Sequence, residues 1–152
     1  MFLGAFCAGV ALLVLVSRRP ETAPKPVDGI SDDPRISAIF ARSCQDCHSD
    51  RTRWPWYGHI PPASWMLNRD VKEARTHMDL SLWNRYSLDD KRQILTELGA
   101  AVRNNEMPPG RYLWMHPDAK LSADDTARLY VWARSERHKL RARETGGNDD
   151  SR

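Results

Sequence analysis

Residues 1–152 contain no period-2 run of apolar side chains of any length, so a β-sheet domain is not expected. No internal repeat is found either, which sets aside solenoids and propellers. Cysteine is scarce. There are three, and only Cys44 and Cys47 lie close together. One close pair cannot staple a domain of this size, so the chain is no disulfide scaffold. Excess charge is small as well: net +3, with a sequence pI near 8.9. That is too mild for a nucleic-acid binder, which needs a strong basic patch. No pair of acid–base side chains stands out, so an enzyme is the last of the expected classes.

The length suits one domain, and 41% hydrophobic with 28% charged residues is ordinary for a globular chain. Six Trp is a high number. Such bulk suits either a small core or a domain wrapped around a flat apolar ligand. Residues Phe2 to Val16 carry no charge, and the run is about 15 residues long against the roughly 20 of a comfortable membrane span. Residues 1–17 therefore read as a signal peptide or membrane anchor. Arg18 and Arg19 follow the run and no basic residue precedes it, which by the positive-inside rule would keep the domain in the cytoplasm. The expectation that resolves this conflict is a true N-terminus upstream, with its basic residues. Phe6 before Cys7 does not suit a lipoprotein site. Residues 18–33, with Pro20, Pro24, Pro26 and Gly29, read as a Pro-rich linker.

The region 34–144 reads as an all-α domain, followed by a disordered tail at 145–152. Asp33–Pro34 is an N-cap and first-turn pair, and Ile36, Ile39 and Phe40 share a helical face that leads into Cys44. Pro55, Gly58, Pro61 and Pro62 make 49–62 turn-like. A second helix is predicted over about 63–76, with Trp65 and Val71 inward. Trp83 and Tyr86 fall in a connector. Ser87 with Asp90 resembles a capping box and opens a third helix along Leu88, Lys91, Leu95, Leu98 and Val102, with Lys91 the polar misfit. Ser122 with Asp125 opens a last helix with Leu129, Trp132 and Ala133. Its basic end, Arg134 to Arg143, reads as a solvated helix terminus.

The stretch "SCQDCHSDRTRWPWYG", residues 43–58, carries the chemistry. Cys-x-x-Cys-His is the attachment signature of a c-type haem: two thiols reach the vinyl groups and the next histidine reaches the iron. Zinc would need a second ligand pair, and His59, His77, His116 and His138 are all unpaired at short spacing. A dithiol oxidoreductase would place the pair after a strand, and none precedes it. Haem is the favoured reading of the three. Trp54, Trp56 and Tyr57 follow so closely that they must lie near the site, as walls of it or as ordinary core.

A proximal histidine leaves one axial position on the iron, commonly filled by Met in electron carriers. Met66 and Met78 read as core filler. Met107, in "NEMPPG", follows a helix end and is held by prolines that suggest an extended loop, 59 residues after His48. It is the favoured sixth ligand, with Met115, His116, His59 and an open site as alternatives.

The segments "SCQDCHSDRTRWPWYGHIPPASWMLNRDV", "LSLWNRYS" and "NNEMPPGRYLWMHPDAKLSADD" resemble the haem-binding domain family of bacterial c-type cytochromes over about residues 35–135. The resemblance implies a cytochrome c-like, all-α fold around one covalent haem c. Cys44 and Cys47 would carry the thioethers, His48 would be proximal, and Met107 matches the family's Met-Pro position. By the same analogy, the carbonyl of Pro61 or Pro62 would orient His48. The expected function is periplasmic electron transfer to an unknown redox protein, with no nucleic-acid partner. The membrane would be met only through the N-terminal segment, if it is uncleaved. A haem-based sensor or gas binder with a displaceable distal ligand is the alternative.

Overall fold

The structure is a computed structural model that describes residues 26–27 and 29–147. The expected signal or anchor segment with Cys7, the linker up to residue 25 and residues 148–152 lie outside them. Six α-helices occur in this range: α1 Pro34–Ser43, α2 Gln45–His48, α3 Ala63–His77, α4 Leu88–Arg103, α5 Gly110–Met115 and α6 Ala123–Gly147. Short 3₁₀ turns fill Trp56–His59, Leu80–Arg85 and Pro117–Ala119. No strand occurs among the described residues, as an all-α reading expects. None of their helices is long and apolar enough to cross a membrane.

Local chemistry sets the helix starts. The Asp33 carboxylate accepts the Arg35 N–H at 2.8 Å, and Pro34 takes the first position, where no N–H is needed. Ser87 and Asp90 form both arms of a capping box at the head of α4. Ser122 and Asp125 do the same before α6, at 2.9 and 3.0 Å.

Helices α4 and α6 make the main packing unit. Ile94, Leu95, Leu98 and Val102 meet Leu129, Ala133 and Leu140 in one apolar cluster. The two run antiparallel, since Arg92 near the start of α4 pairs with Glu144 near the end of α6 at 2.5 Å. Farther along, Arg137 donates to Thr96 Oγ1 at 2.8 Å. Lys91 loses its oddity: its ammonium lies over the Trp83 ring, 5.8 Å from the centroid. Helix α1 packs against α6 through an edge-on Phe40–Trp132 contact at 5.3 Å and an Arg42–Asp125 ion pair at 2.9 Å. The basic stretch of α6 is largely solvated, with Leu140 its one buried residue.

Four expectations fail. Trp65, predicted inward, is 69% exposed, and Met66, predicted as core filler, is exposed too. On α3 only Val71 is buried, and Trp65 and Met66 lie on a side of its first turns that no described element covers. Pro109 also does not continue an extended loop. It caps α5, whose first turn closes on the Pro109 carbonyl. The helix α6 runs on to Gly147, into the stretch read as tail.

Candidate cofactor site

Helix α1 ends where the site begins. The Cys44 N–H closes the last turn on Phe40, and the Cys44 carbonyl accepts both Cys47 N–H at 3.2 Å and His48 N–H at 3.0 Å. Cys44, Cys47 and His48 thus occupy positions i, i+3 and i+4 of a single helical turn, which puts them on one face.

Both thiols are free and half-buried. Burial pushes Cys44 up to about 12, with the neighbouring Cys47 adding to it and Arg42 opposing. Cys47 rises to about 11 through burial, then Asp46 and Asp70, against Arg111 and Arg75. Both therefore stay protonated at neutral pH. A dithiol catalyst requires the reverse, a depressed thiol pKa. A structural zinc site requires converging ligands, and no three His, Cys, Asp or Glu side chains converge among the described residues.

His48 is buried, and burial lowers its pKa despite carbonyl contacts from Met78 and Ala74. The neutral ring donates Nδ1–H to the Met78 carbonyl at 2.9 Å, which leaves the Nε2 lone pair for a metal. This corrects the expectation of a Pro61 or Pro62 carbonyl. Those prolines precede α3, and a helix N-terminus presents N–H groups. Met78 caps the other end, where carbonyls are left over. Met78 itself is core, as expected.

Asp46, between the two cysteines, organises the surroundings. Its carboxylate accepts the Arg53 backbone N–H and Nε at 3.1 Å each, Arg53 Nη2 at 2.7 Å and the Tyr112 hydroxyl at 3.0 Å. Burial and then the Asp46 charge push the Tyr112 phenol above its usual range. Arg75 of α3 donates to Ser49 O and to Thr52 Oγ1 and holds the strand-like exit from α2. Arg111 pairs with Asp70 of α3 at 3.1 Å. Segment 107–116 is thereby tied to the attachment turn and to α3. Neither Asp46 nor Tyr112 was singled out from the sequence. The only available signal was position: one lies inside the Cys-x-x-Cys, the other just past the Met-Pro-Pro.

Two segments carry many exposed apolar side chains: the one that follows this turn in the chain, and segment 107–116, which Tyr112 ties to Asp46. Trp54, Trp56, Trp65 and Met66 on one segment, and Met107, Trp114 and Met115 on the other, are all exposed. Tyr57 meets His116 at 6.4 Å, and His116 stacks on Tyr112 at 4.3 Å. Trp54 and Trp56 are therefore not core. Met107, the favoured sixth ligand, is 40% exposed. Among its rivals, Met115 and His59 are exposed as well, and His116 is half-buried under Tyr112.

The donor set fits a haem: two thiols and an imidazole on one face, with His48 Nδ1 engaged and Nε2 left for a metal, and exposed aromatic and thioether side chains on neighbouring segments of the kind a flat apolar group covers. Comparison with known proteins agrees. Residues 7–135 match the family described as "Haem-binding domain". Over 125 residues the chain is 23% identical to "Cytochrome c peroxidase Ccp" of Escherichia coli (strain K12), covering 80% of this chain and 27% of that protein. The chain thus spans about a quarter of the length of this curated relative. No solved structure matches. The family match takes in the attachment turn, the Met-Pro segment and every helix up to the middle of α6, and by it the chain belongs to the haem-binding domain family.

Proposed function

We propose that the protein is a c-type cytochrome with one covalent haem c that carries electrons in the periplasm. Cys44 and Cys47 form the thioethers, His48 is the proximal ligand and Met107 the sixth. The observation that carries this reading is the single helical turn that gathers Cys44, Cys47 and His48 on one face, with His48 Nδ1 held by Met78 O at 2.9 Å. A bound haem supplies a one-electron couple at its iron. His48 contributes a fixed, neutral imidazole, made more basic by its carbonyl partner. Met107, a thioether, favours the ferrous form and raises the potential.

A carrier is preferred to an enzyme because polar groups beside the site are already engaged: Arg111 with Asp70 and Tyr112 with Asp46. The peroxidase in the relative's name belongs to a much longer protein, and this chain corresponds to one part of it. The partner is an unidentified redox protein, and the N-terminal segment anchors the domain to the inner membrane if it is retained.

Pyridine haemochrome of the exported protein should report a haem with two thioethers. Met107→Ala should abolish the near-infrared Met-to-iron charge-transfer band and let the ferrous protein bind carbon monoxide. An unchanged band in that variant removes Met107 from the ligand set. Rapid carbon monoxide binding by the unmutated protein replaces the carrier with the gas-binding alternative.

A further inference from the structure

The helix that follows Met107 has little to hold it in place. Six residues are too few for a helix to persist alone in water, and no side chain of α5 is fully buried, Tyr112 and Leu113 being half-buried. Directed bonds therefore weigh heavily in fixing it. The Arg111–Asp70 pair is a surface bridge, with the Arg111 side chain 66% exposed, and such pairs contribute little. The Tyr112–Asp46 bond differs. Its acceptor is a carboxylate only 12% exposed and pinned on its other lone pairs by Arg53. A hydroxyl bonded to such an anion is among the stronger protein hydrogen bonds.

The connection from this bond back to Met107 is short and stiff. The Tyr112 N–H donates to the Pro109 carbonyl at 2.9 Å, and Leu113 N–H reaches the same oxygen at 3.1 Å. Pro108 and Pro109 then leave few free torsions before Met107. At the far end Asp46 sits in the same helical turn as Cys44, Cys47 and His48.

We propose that Tyr112 is a positioning residue: its hydroxyl, bonded to Asp46, clasps segment 107–116 to the haem-attachment turn and so sets the approach of Met107. The sixth ligand is then placed by a residue that lies between the two cysteines, across 66 positions of chain. This rests on the reading of Met107 as ligand.

The test uses the haem-loaded protein and two readouts. Tyr112→Phe keeps the ring and its stacking on His116 and removes only the hydroxyl. Amide hydrogen exchange over 107–116 should accelerate roughly tenfold, as expected for loss of a bond to a charged group, while α4 and α6 stay unchanged. The Met-to-iron band should weaken toward that of Met107→Ala, with carbon monoxide binding gained. Unchanged exchange and an unchanged band overturn the clasp even where Met107→Ala confirms the ligand. Faster exchange with a full band overturns the positioning role. If Met107→Ala itself keeps the band, the ligand assignment falls, and exchange alone decides whether Tyr112 clasps the segment.

Discussion

The pair α4–α6 and the two segments around the attachment turn handle apolar residues in opposite ways. In the helix pair, Ile94, Leu95, Leu98, Val102, Leu129, Ala133 and Leu140 all face inward. In segments 54–66 and 107–115, Trp54, Trp56, Ile60, Trp65, Met66, Met107, Trp114 and Met115 are exposed. Polar groups divide in the same sense. The buried side-chain atoms without a partner among the described residues are Gln45 Oε1 and Arg75 Nε, both beside the attachment turn. One half is therefore complete from its own side chains, held by apolar burial and capped helices. The other is held by directed bonds to Asp46, Ser49 and Met78 and shows the surface that a flat cofactor would cover.

Removing the cofactor's handle should give the largest effect. In a Cys44→Ser/Cys47→Ser double variant, acid–acetone extraction should strip all haem from the protein, while the unmutated protein keeps its own. Retained haem in the variant would show that the thiols are not the attachment points.

Stability should divide next. Leu129 is fully buried, so Leu129→Ala should cost about 2–5 kcal/mol in denaturant unfolding of the chain without haem. Trp65→Ala, despite deleting a larger side chain, should change the same measurement by less than about 0.5 kcal/mol. With haem bound, Trp65→Ala should become the costlier of its two states. Equal losses from both substitutions would erase the division between the halves.

The smallest effect lies at the α1–α6 junction. Burial raises the Asp125 carboxyl, but the N–H and hydroxyl of Ser122 and the Arg42 guanidinium outweigh it and hold it below the usual carboxylate range. A carboxylate depressed on folding contributes stability that is present above its unfolded pKa and lost as pH falls through the folded one. Asp125→Asn should therefore narrow the stability difference between neutral pH and about pH 3, measured by urea unfolding. An unaltered pH profile would mean that the pair is too well solvated to matter.

Helix starts were legible in the sequence because their causes are local. Asp33–Pro34, Ser87–Asp90 and Ser122–Asp125 cap within three residues of themselves. The stripe of α4 was legible because one apolar face suffices to specify burial. Trp65 and Met66 were misread for the same reason: apolar character signals burial, yet it does not say against what. Helix α5 was missed because six residues carry no usable period. The partner of His48 was misplaced because a carbonyl at a helix end has no side-chain signature, and which end of α3 meets α2 is a matter of packing.

By itself, then, the sequence determined the all-α class, the caps and the placing of Cys44, Cys47 and His48 on one turn, since these depend on residues close together in the chain. Tertiary structure alone decided that Met78 orients His48 and that Tyr112 meets Asp46. It also decided which tryptophans stay outside the core. Each of these depends on how helices far apart in the chain come together, and hydrogen-bond partners and burial are properties of that assembly.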